Sequence, residues 1–157
     1  MTRLVNMALL VLTTTIVPAF AADNSLGTWK LNVEKSKYTP APFPIKSLTT
    51  VREAFDGGVK VTTIGVRADG TRVNTSYTAI YDGAAATVTG EGVLYDRISI
   101  RQVNANTLTD ERKRTGGSYQ AVGRTVISKG GGTMTVTVKG TNDDGKAFAS
   151  TMVWDKQ

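Results

Sequence analysis

Apolar and polar residues alternate along much of this chain at the two-residue period of a β-strand. Met134, Val136 and Val138 share one face, with Thr133, Thr135, Thr137 and Lys139 opposite. Ile98 and Ile100 oppose Arg97, Ser99 and Arg101, while Val73, Tyr77, Ala79 and Tyr81 share parity and Ile80 falls out of phase. Successive strand side chains point to opposite faces, so this pattern predicts sheet with one buried and one solvated side. Val59 and Val61 give way to Ile64 and Val66, a change of phase that predicts a β-bulge near Thr63 to Gly65. No stretch of about 12 residues or more carries the apolar period of a helix.

Turn chemistry punctuates these runs at regular intervals. Turns are predicted at Asp56-Gly57-Gly58, Ala68-Asp69-Gly70, Asp82-Gly83, Gly90-Glu91-Gly92, Asn104-Ala105-Asn106, Thr115-Gly116-Gly117, Gly130-Gly131-Gly132 and Asp143-Asp144-Gly145. Glycine reaches the positive φ of a tight hairpin freely, and Asn or Asp tolerates it. The even spacing predicts an antiparallel up-and-down meander. A flat sheet of this size leaves two open edges and a bare apolar face. Closure into one all-β barrel of about eight to ten strands removes both. Asn32 to Tyr38 has room for one helical turn at most. Thr39-Pro40-Ala41-Pro42-Phe43-Pro44 holds three prolines and predicts an extended, lid-like connection.

The first residues belong to a different pattern. Met1-Thr2-Arg3 is a short basic start, Leu4 to Val17 is mostly apolar, and Ala19-Phe20-Ala21 follows Pro18 with the small-x-small form of a cleavage site. The run is shorter than the roughly 20 residues of a membrane span. The expectation is a signal peptide over residues 1–21, removed on export, and a barrel domain over residues 22–157 with no membrane span. With no cysteine there is no disulfide and no lipid-bearing N-terminal cysteine, so the product is expected in the periplasm or secreted, not as a lipoprotein. The chain carries 19 basic and 13 acidic residues, net +6, or +5 once Arg3 is removed (18 against 13). These charges are dispersed, apart from Asp110-Glu111-Arg112-Lys113-Arg114, too diffusely for a nucleic-acid surface.

Candidate chemistry is sparse. The chain has neither histidine nor cysteine, which excludes a Ser-His-Asp triad and the commonest soft metal ligands. The carboxylates Glu53, Glu91, Asp96, Asp110 and Glu111 fall on strands or strand ends without a spacing that selects a pair, so no enzyme activity, metal or cofactor is expected. Asp82, Asp143 and Asp144 sit in glycine-containing turns, and the alternating oxygens of an EF-hand are absent. Gly130 to Gly132 lacks the Lys-Ser/Thr and helix of a phosphate loop. Arg124 is the cation of most interest. On one strand phase it shares an inward face with Val122 and Val126, where a guanidinium receives a carboxylate in bidentate fashion. On the other phase Tyr119, Ala121 and Ile127 face inward and Arg124 is solvated. Tyr77, Tyr81 and Tyr119 are candidates to line the same interior.

Gly27-Thr28-Trp29-Lys30-Leu31 sets a glycine and a large aromatic on the first strand. This G-x-W resembles the opening strand of the calycin superfamily, which includes lipocalins and fatty-acid-binding proteins. Ser150 to Gln157 is similar to the final strand of the latter in length and charged ending. The resemblance implies a barrel closed by Gly27 and Trp29, with a cation such as Lys156 or Arg124 across the indole. Where fatty-acid-binding proteins carry the Arg-x-Tyr of their last strand, this chain has Met152 and Trp154, and proline-rich sequence replaces their helical lid. Arg124 lies roughly where that family places a second ligand arginine. The chain also resembles exported bacterial lipocalin-like proteins with GTWKLN near the start. Avidin-like barrels share the early G-x-W but stack further tryptophans, and this chain has two. The expected function is an exported barrel holding a small, partly apolar or anionic ligand on Arg124, Tyr77, Tyr81 and Tyr119. The alternative is an interaction module or enzyme inhibitor on a filled barrel, with an exposed apolar patch around Phe43 and Pro44.

Overall fold

The computed structural model describes residues 22–157. The signal peptide expected over residues 1–21 lies outside the described residues. The strands are β1 (Gly27–Thr39), β2 (Ile45–Phe55), β3 (Gly58–Arg67), β4 (Arg72–Ile80), β5 (Asp82–Thr87), β6 (Thr89–Glu91), β7 (Arg97–Asn104), β8 (Thr107–Lys113), β9 (Gln120–Ile127), β10 (Thr133–Thr141) and β11 (Ala147–Lys156). They form one antiparallel sheet in the order β5-β7-β8-β9-β10-β11-β1-β2-β3-β4-β6. Its two edge strands, β5 and β6, are neighbours in the chain, joined through Val88. The first pairs with β7 and the second with β4, so one bent segment carries the sheet around to itself. The result is a nearly closed up-and-down β-barrel.

Most of the predicted turns fall where the strands reverse and the alternating faces sort as expected, but Gly90 and Glu91 belong to β6, paired with Thr75 and Asn74, and Asp82-Gly83 opens β5. Met134, Val136, Val138, Ile98 and Ile100 are buried, and Ile80 is exposed. Two apolar clusters fill the wall. One centres on Trp29, Leu31, Met134, Val138 and Trp154, the other on Val59, Val61, Ile98, Ile100 and Leu108.

Two local expectations are corrected. No bulge interrupts Thr63 to Gly65: the β2–β3 register runs unbroken from Ser47↔Val66 to Phe55↔Gly58, and the irregularity lies between Ile45 and Ser47. Thr63 and Arg67 keep the inward parity of Val59 and Val61, while Ile64 points out. What looked like a change of phase is a change in the polarity of the interior. Nor does Asn32 to Tyr38 make a helical turn. The strand continues through it with a register shift against β11 between Asn32 and Lys37. Ser36 repairs the break, its hydroxyl donating to the Asn32 carbonyl at 2.6 Å and accepting from the Val153 amide at 3.0 Å.

Trp29 closes one end of the barrel. It is fully buried, and its Nε1 donates to the Ser25 carbonyl at 2.8 Å. Lys156 Nζ lies 5.1 Å from its ring centroid, within cation–π range. Gly27 adopts φ +120°, and a Cβ there would stand 3.1 Å from Lys156 Cε, so its bare backbone lets that lysine reach the indole. Residues 22–26 cross beneath. The Asn24 amide donates to the Ala105 carbonyl at 2.9 Å, and the Tyr81 hydroxyl donates to Asp23 Oδ2.

Candidate functional site

The barrel holds a cavity of about 200 Å³, partly open to solvent, between the two apolar clusters. Its wall mixes apolar side chains with buried charge, and the charge comes from two hairpins. In the first, the tight turn at Asp56-Gly57 sets Arg52 opposite Val61. Directly opposed residues of an antiparallel pair point to the same face. Val61 is buried, so Arg52 is carried inside with it, 9% exposed. In the second, Ile100 opposes Asp110 and Ile98 opposes Arg112, which brings an acid and a base inward on one strand. The charged run from Asp110 to Lys113 is thereby split, with Asp110 and Arg112 lining the cavity while Glu111 and Lys113 face solvent.

Asp110 and Arg112 satisfy each other. Arg112 Nε donates to Asp110 Oδ2 at 2.6 Å and Nη2 to Oδ1 at 3.3 Å. The guanidinium also lies 5.2 Å from the Tyr95 ring centroid. Burial disfavours the Arg112 cation, but the charge and hydrogen bond of Asp110 together with the Tyr95 and Tyr119 hydroxyls outweigh it and hold its pKa well above the usual arginine value. Gly123 stands opposite Asp110 on β9, and a Cβ there would come within 2.3 Å of Asp110 Oδ1. The glycine makes the room in which the carboxylate lies.

Arg52 has no such partner. Its Nε donates to Ser25 Oγ at 3.1 Å, and Ser25 is 1% exposed. Its Nη2 is buried without a hydrogen-bond partner among the described residues, as is Nε1 of Trp154, which lines the same cavity. An unpaired buried donor forfeits its hydration without replacement, and more so when it carries charge. Asp110 neutralises Arg112, so among the described residues Arg52 is the buried cation of the interior left without a carboxylate partner.

The other end of the barrel is covered by the loop over residues 92–96. Val93, Leu94 and Tyr95 line the cavity from it, and Arg67 Nη2 donates to the Gly92 carbonyl across the mouth. The Thr115 amide donates to Asp96 Oδ1 at 2.8 Å and holds the far side of the loop. Tyr95 stacks on Tyr119 at 5.8 Å, Tyr119 packs on Phe148 at 5.7 Å, and Phe148 stacks on Tyr38 at 5.8 Å. This aromatic row braces the loop against β11 and β1. It takes the covering role expected of the proline-rich segment, where Phe43 instead packs half-buried against the core.

The expected site residues separate accordingly. Tyr77 lines the cavity, beside Arg52, and burial pushes its pKa up to about 12. Tyr119 is buried in the aromatic row, also raised by burial to about 12, and Tyr81 is engaged by Asp23 at the closed end. Neither lines the cavity. Arg124 is exposed on the outer face of β9, which alternates with Ala121, Gly123, Thr125 and Ile127 buried. The structure thus realises the phase in which Arg124 is solvated. Gly27 and Trp29 form the closed end, with Lys156 supplying the cation. Of the candidate carboxylates, only Asp110 lines the cavity; Glu53 lies on the surface 3.7 Å from Lys60.

Arg52 was the residue missed, because a lone arginine between Val51 and Glu53 reads as a solvated position. Cross-strand pairing from the Asp56-Gly57 turn would have revealed it. The same reasoning settles Arg124: Val136 faces inward opposite Thr125, so Arg124 faces out. No protein-family model and no curated protein sequence matches the chain.

Two outcomes follow from this geometry. Gly123→Ala should destabilise the protein by about 1–3 kcal/mol, since the new methyl overlaps the Asp110 carboxylate. Arg124→Ala, one residue along on the outer face, should stay within about 0.5 kcal/mol of wild type. Urea unfolding of both variants checks this, and equal losses would contradict it. The second concerns alkaline pH. A tyrosine whose pKa is raised on folding contributes stability that is complete below its unfolded value near 10 and is lost as pH rises through the folded value. With Tyr77 and Tyr119 raised to about 12, stability should fall between pH 10 and 12. Phenolate absorbance of the native protein should lag that of the urea-unfolded chain over the same window; coincident curves would be the contrary result.

Proposed function

We propose that this protein is an exported, lipocalin-like barrel that holds a small, partly apolar, anionic molecule in its interior. The observation that carries the reading is an internal cavity walled by apolar side chains and reached by one buried guanidinium with no carboxylate partner. Apolar burial supplies most of the affinity of such sites, and a few placed polar groups orient the guest. Arg52 takes the role expected of Arg124, and Tyr77 stands beside it. Asp110 and Arg112, locked to each other, build a polar wall without adding net charge. The G-x-W of the first strand and the leader sequence support placing the chain among exported calycin-like proteins.

The interaction-module reading needs a solidly packed interior and an apolar patch around Phe43 and Pro44. The cavity and the half-buried packing of Phe43 give it less support. The direct test is native mass spectrometry of protein recovered from the envelope of its own cells. The expected spectrum shows a retained small molecule that is released on denaturation and detected as an anion. A spectrum of the bare chain alone, under conditions that preserve a known barrel–ligand complex, would contradict the reading.

A further inference from the structure

Volume, charge and the two unpaired donors narrow the guest further. We infer that the cavity accepts a compact acid, about one ring with a single carboxylate, whose acid group sits against Arg52 and whose body passes beneath Trp154. The inference rests on the ligand-binding reading above and adds size, charge and orientation to it.

Size comes first. Drug-sized ligand pockets run from about 300 Å³ upward, whereas a buried apolar cavity of about 150 Å³ holds one benzene ring. At about 200 Å³ this cavity has room for a ring and a small substituent, and a long alkyl chain would have to protrude from it. The covering loop reinforces the limit. Arg67 ties it at Gly92, Thr115 ties it at Asp96, and Tyr95 is stacked beneath it. A chain protruding through the mouth would have to break these contacts.

Charge and orientation come from the two donors. Arg52 pairs with Gly27 on β1, next to the closed end, and Trp154 pairs with Leu31 on the same strand. Four residues separate those rows, about 13 Å along the strand at the usual rise. The cation therefore lies against the closed end, and the row of Trp154 stands above it on the side of the mouth. An acid entering head first would put its carboxylate on Arg52, a buried cation with no carboxylate partner among the described residues, where charge-assisted hydrogen bonds are strongest. Its body would then occupy the level of Trp154. Ser25 fixes the guanidinium from below through Nε, leaving its outer nitrogens for the guest. Arg67 at the mouth adds positive potential along the approach.

The two tryptophans make the test internal. The Trp29 indole N–H is already bonded to the Ser25 carbonyl, whereas that of Trp154 has no partner among the described residues, so the second should respond the more strongly to a guest. Benzoate, benzamide and palmitate would be titrated into the ¹⁵N-labelled full mature chain, with Trp154→Phe assigning the two indole resonances. Benzoate should shift the Trp154 resonance further than that of Trp29. Neutral benzamide should bind about tenfold or more weakly, and palmitate should leave Trp154 unmoved. In Arg52→Met the preference for benzoate over benzamide should disappear, with an unchanged far-ultraviolet circular dichroism spectrum confirming the fold. Arg52→Lys, which keeps the charge, should retain part of that preference. Equal binding of benzoate and benzamide by wild type, or an undiminished preference in Arg52→Met, would overturn the charge assignment and leave ligand binding intact. Palmitate displacing benzoate would overturn the size limit. No response from Trp154 to any of the three would overturn the ligand-binding reading itself, and this inference with it.

Discussion

Ser25 holds the closed end and the interior together. Its carbonyl accepts the Trp29 indole, and its hydroxyl accepts Nε of Arg52. One nearly inaccessible serine therefore links the residue that shuts the barrel to the cation that dominates its cavity. The dependence runs outward from there. Trp29 must be covered from below, so residues 22–26 cross the barrel floor and are fastened by Ala105 and Tyr81. Because that floor is in place, Arg52 lies in a medium of low dielectric rather than in water, and its charge is felt at short range. Closure of the sheet and electrostatics of the cavity are one arrangement viewed from two sides.

The interior departs from a simple apolar core in a selective way. Asp110 and Arg112 occupy inward positions where Ile or Val would pack, yet each meets the other's charge, and Gly123 gives the carboxylate its space. Replacing such a pair by well-packed apolar residues is often neutral or stabilising, so its presence is not explained by stability alone. Arg52 is the sharper case, since Nη2 has neither carboxylate nor carbonyl among the described residues. Functional sites are where sequences depart from the rules that favour folding, and both departures here fall on the cavity wall.

That selectivity also explains what the sequence revealed and what it concealed. Turns were legible because glycine and Asx chemistry is local, and strands such as β10 were legible because their inner face is wholly apolar. The β2–β3 hairpin was not, because its inner face runs Leu48, Thr50, Arg52 on one strand and Val61, Thr63, Arg67 on the other. A rule that sends apolar residues inward fails there, and it turned a polar stretch of cavity wall into a bulge that does not exist. It also favoured Arg124, flanked by exposed Val122 and Val126, over Arg52, which is buried. The covering loop over residues 92–96 is irregular and owes its position to Arg67 and Tyr119, contacts too distant in sequence to be read from it.

If Arg52 is kept for a guest and not for the fold, the ligand-free protein should be less stable for having it. The thermal midpoint of ligand-free Arg52→Met, measured beside wild type by circular dichroism, tests this most directly. Relieving an unpaired buried guanidinium should raise the midpoint, by about 2–4 °C for each kcal/mol regained in a chain of this size. A lowered midpoint would show that Arg52 is a structural brace for Ser25 and the barrel floor, and would contradict the central claim.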